Sequence, residues 1–155
     1  MANNYMQFSE AIGNLTDEEA AWITEKLTQL EDAEPDTPGL EDWQRDIVSI
    51  GWLGFSWQIQ GEGADRQLWI HHGDESGSGS VEAIPDFVCA FLSKFRPNDY
   101  FTLEWATWCS KPRIREFSGG AIFITATDIY WHTPETFFED KKNQLSGLKQ
   151  EINTL

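Results

Sequence analysis

The chain has 155 residues and a formal net charge of −15, with 26 acidic residues against 11 basic ones. At this length a single domain spanning 1–155 is expected, with a core that needs no disulfide staples. An aromatic content of 14% argues against disorder, and the acidity argues against direct binding of DNA or RNA, whose phosphates are held by Lys and Arg.

No apolar run approaches the roughly 20 residues that cross a bilayer. The polar start MANNYMQFSE lacks the apolar stretch of a secretion signal. Two cysteines, Cys89 and Cys109, are too few for a disulfide scaffold. A soluble cytoplasmic protein with reduced thiols is therefore expected.

The charge is unevenly spread. Residues 1–46 hold twelve acids against Lys26 and Arg45, a local net of −10, whereas residues 101–155 hold seven acids against six bases. LTDEEAAWITEKLTQL opens with the capping box Thr16-x-x-Glu19, and Ile23, Leu27 and Leu30 form an apolar stripe, which predicts a helix over 16–31. EDAEPDTPGLEDW, with two prolines and six acids, reads as an acidic linker, followed at most by a short helical turn. From Leu53 the period changes to two: Leu53, Phe55, Trp57 and Ile59 mark a strand, QGEGAD a turn, and RQLWIHH a second strand.

After the polar loop GDESGSGS, the residues Ile84, Val88, Phe91, Leu92 and Phe95 make a wide helical stripe between Pro85 and Pro97. YFTLEWATW then alternates, with Phe101, Leu103 and Trp105 on one face. GAIFITATDIYWH supplies two further strands, and Thr133-Pro134-Glu135 starts a last helix expected to fray after Gly147. The order is α-ββ-α-ββ(β)-α. This predicts an α+β fold: one antiparallel sheet of four to five strands, with helices mainly on one face. The other face is expected to expose Trp69, Trp108 and Ile122.

Candidate chemistry centres on WCSKPRIREFSGG. Cys109 beside Lys111, Arg113 and Arg115 has the composition of an activated thiol, but it ends a strand and sits in no catalytic-cysteine signature. Cys89 lies in a helix flanking its apolar stripe and reads as core. Gly119-Gly120 precedes a strand, whereas a phosphate cradle ends in a helix N-terminus, so the pair reads as turn chemistry or a bulge. Glu104 is the carboxylate of most interest for acid–base chemistry, and Glu116 is placed to pair with the loop arginines. His71 and His72 are adjacent in a strand and point to opposite faces, and the pairing of His72 with Asp74 is a chance-level pattern. With no CxxC or HExxH spacing, no metal and no cofactor are predicted.

CSKPR, then EF, GG and a strand ending TA, in CSKPRIREFSGGAIFITA, resembles a segment found in a group of bacterial and mobile-element proteins. The resemblance covers the last third of the chain, together with the helix end FLSKFRP. It implies a recurring structural unit and brings no activity, cofactor or site residue with it.

Two functional readings follow. In the first, the chain is a non-enzymatic inhibitor or immunity-type protein whose acids address a basic surface on a protein partner, such as a nucleic-acid-handling enzyme, as a nucleic-acid mimic. Its acidic face would comprise Asp17, Glu18, Glu25, Glu31, Asp32, Glu34, Asp36, Glu41 and Asp42, with Trp22 and Trp43 as aromatic anchors. In the second, Cys109 or Glu104 with a histidine serves a small hydrolase- or transferase-type enzyme, with Lys111, Arg113 and Arg115 as an anion clamp. The first reading carries more of the sequence's features.

Overall fold

A computed structural model describes residues 2–73 and 78–154. Asp74 and the other residues of 74–77, half of the GDESGSGS loop, lie outside the described residues. The elements in chain order are β1 (Asn4–Gln7), β2 (Ser9–Ile12), α1 (Asp17–Glu31), α2 (Asp42–Ile50), β3 (Ser56–Gln60), β4 (Gln67–His71), α3 (Ile84–Phe95), β5 (Tyr100–Cys109), β6 (Ser118–Thr125), β7 (Ile129–His132) and α4 (Pro134–Thr154), with a 3₁₀ turn at Gly63–Asp65. The class is α+β with antiparallel pairing throughout, as the alternation predicts.

The single predicted sheet is instead two sheets. One has the order β1-β5-β6-β7 and the other β2-β4-β3. The difference comes from the N-terminal residues, whose polar composition hides two strands. Asn4 to Gln7 pair with Cys109 to Ala106, and Ser9 to Ile12 pair with His71 to Leu68. The chain crosses between sheets at Phe8, which is buried and accepts a backbone bond from His72 N at 3.2 Å. Gly79 packs so close to this crossing that a Cβ there would lie 2.7 Å from the Phe8 ring and 2.9 Å from His72.

Helix α1 begins as its capping box requires. Thr16 Oγ1 accepts from Glu19 N at 3.1 Å, and Glu19 Oε2 accepts from Thr16 N at 2.9 Å. Its stripe Ile23, Leu27 and Leu30 is buried. The predicted helical turn near Trp43 is a full helix, α2. Gln44 receives the Glu41 N–H at 3.0 Å and is itself buried, donating to Lys26 O and Gln29 Oε1. Gly51 ends α2 in the left-handed conformation, with φ 100°.

Helix α3 buries Ile84, Phe87, Val88, Phe91 and Leu92. These join Leu68 and Ile70 of one sheet, and Phe101, Leu103, Ile122 and Ile124 of the other, in one apolar core. Ile122, expected on the exposed face, is 1% exposed because its register partner is the inward-facing Leu103. Phe123 faces outward in its place. Trp69 is half-buried, stacked on His71 at 3.8 Å, while Trp108 lies outward on Tyr5 at 4.4 Å.

Gly119 and Gly120 form neither a turn nor a bulge. They sit in the regular β5–β6 ladder opposite Ala106 and Trp105. The Trp105 indole lies over Gly120, where any Cβ would collide with the ring. Helix α4 continues past Gly147 to Thr154. Gly147 does not take the positive φ of a helix stop, so nothing terminates the helix there.

Candidate functional site

The nine acids of the predicted face lie on α1, the loop after it and the start of α2, and all are exposed. Glu18, Glu25 and Asp32 recur every seven residues, which lines them along one side of α1 and its C-cap. At 1.5 Å rise per residue their Cα atoms are spaced by about 10 Å. Glu25 and Asp32 also line a surface groove of about 580 Å³ between α1 and the following loop, with Thr37 and Pro38 on its far side.

Four of the nine are engaged by the fold. Asp17 pairs with Arg66, and Lys26 lies 3.7 Å from Glu25 and 3.2 Å from Glu41. Glu31 accepts from Trp57 Nε1 at 3.1 Å. Glu18, Asp32, Glu34, Asp36 and Asp42 form no ion pair among the described residues. The acidic layer therefore presents uncompensated charge, which Lys26 offsets at Glu25 and Glu41 and Arg66 at Asp17.

The aromatic residues of this region are less available. Trp22 packs against Trp43 at 5.9 Å and against Phe87, Phe91 and Phe95 at 5.6–6.3 Å, and Trp43 also meets Phe87 at 6.2 Å. Both rings are half-buried against the core.

Beneath the acidic layer lies a pair that no sequence pattern singles out. Glu19, although acidic, is 5% exposed and receives Arg96 Nε at 2.8 Å and Nη2 at 2.9 Å. Arg96 also donates to Gly13 O and Asn14 O. The bond from Arg96 holds the Glu19 carboxyl below its usual range, ahead of burial, which pushes the other way. The twelve acids of the segment thus include Glu19, whose role is structural.

The loop Ser110–Phe117 does not converge on a pocket. Lys111, Arg113 and Arg115 are exposed and form no ion pair among the described residues, and Ile114 between them is 90% exposed. Glu116 accepts from Asn4 Nδ2 at 2.7 Å instead of pairing with an arginine. Cys109 is on the inward face of β5 and 4% exposed, which removes its thiol from solvent. Cys89 Sγ contacts Ala126 O at 3.3 Å, and burial raises its pKa. The CSKPR…EF…GG…TA segment maps onto the end of β5, this loop and β6, closing at Thr125-Ala126.

Glu104 is exposed on the outward face of β5, opposite Ala121, which in turn faces His132 on β7. Among the described residues no three His, Cys, Asp or Glu side chains cluster as a metal site would. His71 stacks on Trp69, whereas His72 Nδ1 faces the Phe8 backbone. The outward placement of Phe123, Tyr130 and His132 escaped the sequence reading. The alternation Ala121-Ile122-Phe123-Ile124 carries that signal once Ile122 is assigned inward.

Comparison with protein-family models, with curated proteins and with solved structures found no match. Among the described residues no helix is long and apolar enough to cross a membrane.

Proposed function

We propose that this chain is a non-enzymatic, acidic interaction protein of the inhibitor or immunity type, acting in the cytoplasm on a protein partner with a basic surface. The observation that carries this reading is the row Glu18, Glu25 and Asp32, continued by Glu34, Asp36 and Asp42, most of it uncompensated by the protein's own cations. Neighbouring uncompensated carboxylates repel one another and nucleic acid. They steer a basic partner into encounter and gain Coulomb energy when it binds. A nucleic-acid-handling enzyme offers such a surface, and carboxylates spaced along a helix can occupy it as phosphates would.

The test is competition. The partner recovered by affinity capture should release labelled DNA or RNA when this chain is added in stoichiometric amount. A partner that keeps its nucleic acid while bound to the chain contradicts the mimic.

A further inference from the structure

The outward face of the four-stranded sheet carries a concavity of about 830 Å³. Ala121 forms its floor, and strand register places Glu104 on one side of Ala121 and His132 on the other. Phe123 walls one end, stacked on Tyr100 at 4.9 Å and edge-on to Tyr130 at 6.3 Å. Thr102 lies opposite Phe123, and Glu10 of β2 also lines the hollow. The lining thus holds two carboxylates and exposed aromatic rings, with no Lys or Arg. The Glu104 side chain makes no hydrogen bond or ion pair with any described residue, and Tyr130 is 58% exposed.

The geometry points to a receptor for a guanidinium group, presented by an arginine side chain of a protein partner. Charge complementarity selects a cation, since Glu104 and Glu10 both line the hollow, one Glu10 oxygen accepting the Ala11 N–H at 2.9 Å, and the molecule as a whole carries −15. The aromatic wall selects among cations. A guanidinium is planar and weakly hydrated, so it stacks on a ring while its N–H fork meets a carboxylate, which a strongly hydrated ammonium does poorly. The arginine would lie against Tyr130 and Phe123 and donate to Glu104. This site shares no residue with the acidic face of α1, and it stands or falls separately from that reading.

The experiment is a titration of the isotopically labelled full chain with N-acetyl-arginine amide, followed through the backbone amides of residues 102–104, 121–123 and 130–132. Saturable shifts there are expected, with N-acetyl-citrulline amide, the neutral isostere, and N-acetyl-lysine amide each weaker by about fivefold or more. Glu104→Gln should weaken the arginine derivative by a similar factor, whereas the combined Glu34→Gln/Asp36→Asn variant should bind it as the parent does. Free arginine adds an α-ammonium and an α-carboxylate with no change in net charge, so it should bind no more tightly than the capped amide. Absence of saturable shifts, equal binding of citrulline or lysine, or unchanged affinity in Glu104→Gln would overturn the proposal. Tighter binding of free arginine would do the same, by pointing to a metabolite as the occupant.

Discussion

Glu19 and Arg96 lie 77 residues apart in sequence and are joined by two hydrogen bonds of 2.8 and 2.9 Å. One carboxylate thereby caps α1 and anchors the end of α3. Glu19 is almost fully buried, so removing either partner leaves a charge without compensation. Glu19→Ala or Arg96→Ala should cost about 2–3 kcal/mol, discounted for the part of Arg96 that reaches solvent. Urea denaturation measures this. A loss under about 0.5 kcal/mol would mean that the pair is dispensable.

The same pair shapes the acid response. Arg96 lowers the Glu19 pKa in the folded state, so its stabilisation is fully present above the ordinary carboxylate value of about 4.3. It is lost as pH falls through the lowered folded value. Glu19→Gln should therefore narrow its deficit against the parent as pH drops below about 4. A deficit that stays constant across that range would contradict the linkage.

Asp86 works in the opposite sense. Burial, followed by the nearby Asp46, raises its pKa in the folded state, so the ionised group opposes folding at neutral pH. The sign is that of a raised pKa: any stability from the protonated form is present at low pH and lost as pH rises. Asp86→Asn should raise the thermal midpoint at pH 7, with the gain shrinking on acidification. A lower midpoint at pH 7 would show that the carboxylate has a favourable partner.

Two glycines should respond with opposite signs. Gly120→Ala forces a methyl into the Trp105 ring and should cost about 1–3 kcal/mol. Gly147→Ala, in an open helical position with nothing within 4 Å, should gain about 0.5–1 kcal/mol. Chemical denaturation of both variants decides it, and equal effects would contradict the assigned packing.

The loop predictions separate structure from chemistry. Cys109 should resist iodoacetamide in the native state and react on unfolding, since its side chain faces the core. Lys111→Ala/Arg113→Ala/Arg115→Ala should change stability by under about 0.5 kcal/mol, because no described partner engages these side chains. Rapid native labelling, or a large loss in the triple variant, would restore a built role for the loop.

Local signals carried part of this fold. Thr16 and Glu19 announce α1, Pro85 and Pro97 bound α3, and the alternation around Leu103 marks β5. What escaped depends on distance. Asn4 finds Cys109 and Ser9 finds His71, and neither polar segment shows a strand without its partner. Helix α2 was obscured because its burial rests on Ile47 and the polar Gln44 within an acidic stretch. Gly119-Gly120 resembles a turn until the Trp105 ring is seen above it. The acidic face was legible because charge can be counted along a chain. The Glu19–Arg96 pair and the hollow between Glu104 and His132 were not, because both require knowing which strands and helices become neighbours.

The exposed carboxylates of α1 and its loop are proposed to address a basic partner. Affinity capture from lysate at about 50 mM and about 500 mM salt tests it directly, using the parent chain and the Glu18→Gln/Asp32→Asn/Glu34→Gln/Asp36→Asn variant, because screening falls from a Debye length of about 14 Å to about 4 Å across that range. A partner held by the parent at low salt and released at high salt, and held weakly or not at all by the equally stable variant, is expected. A partner retained by both proteins at both salt concentrations would contradict it.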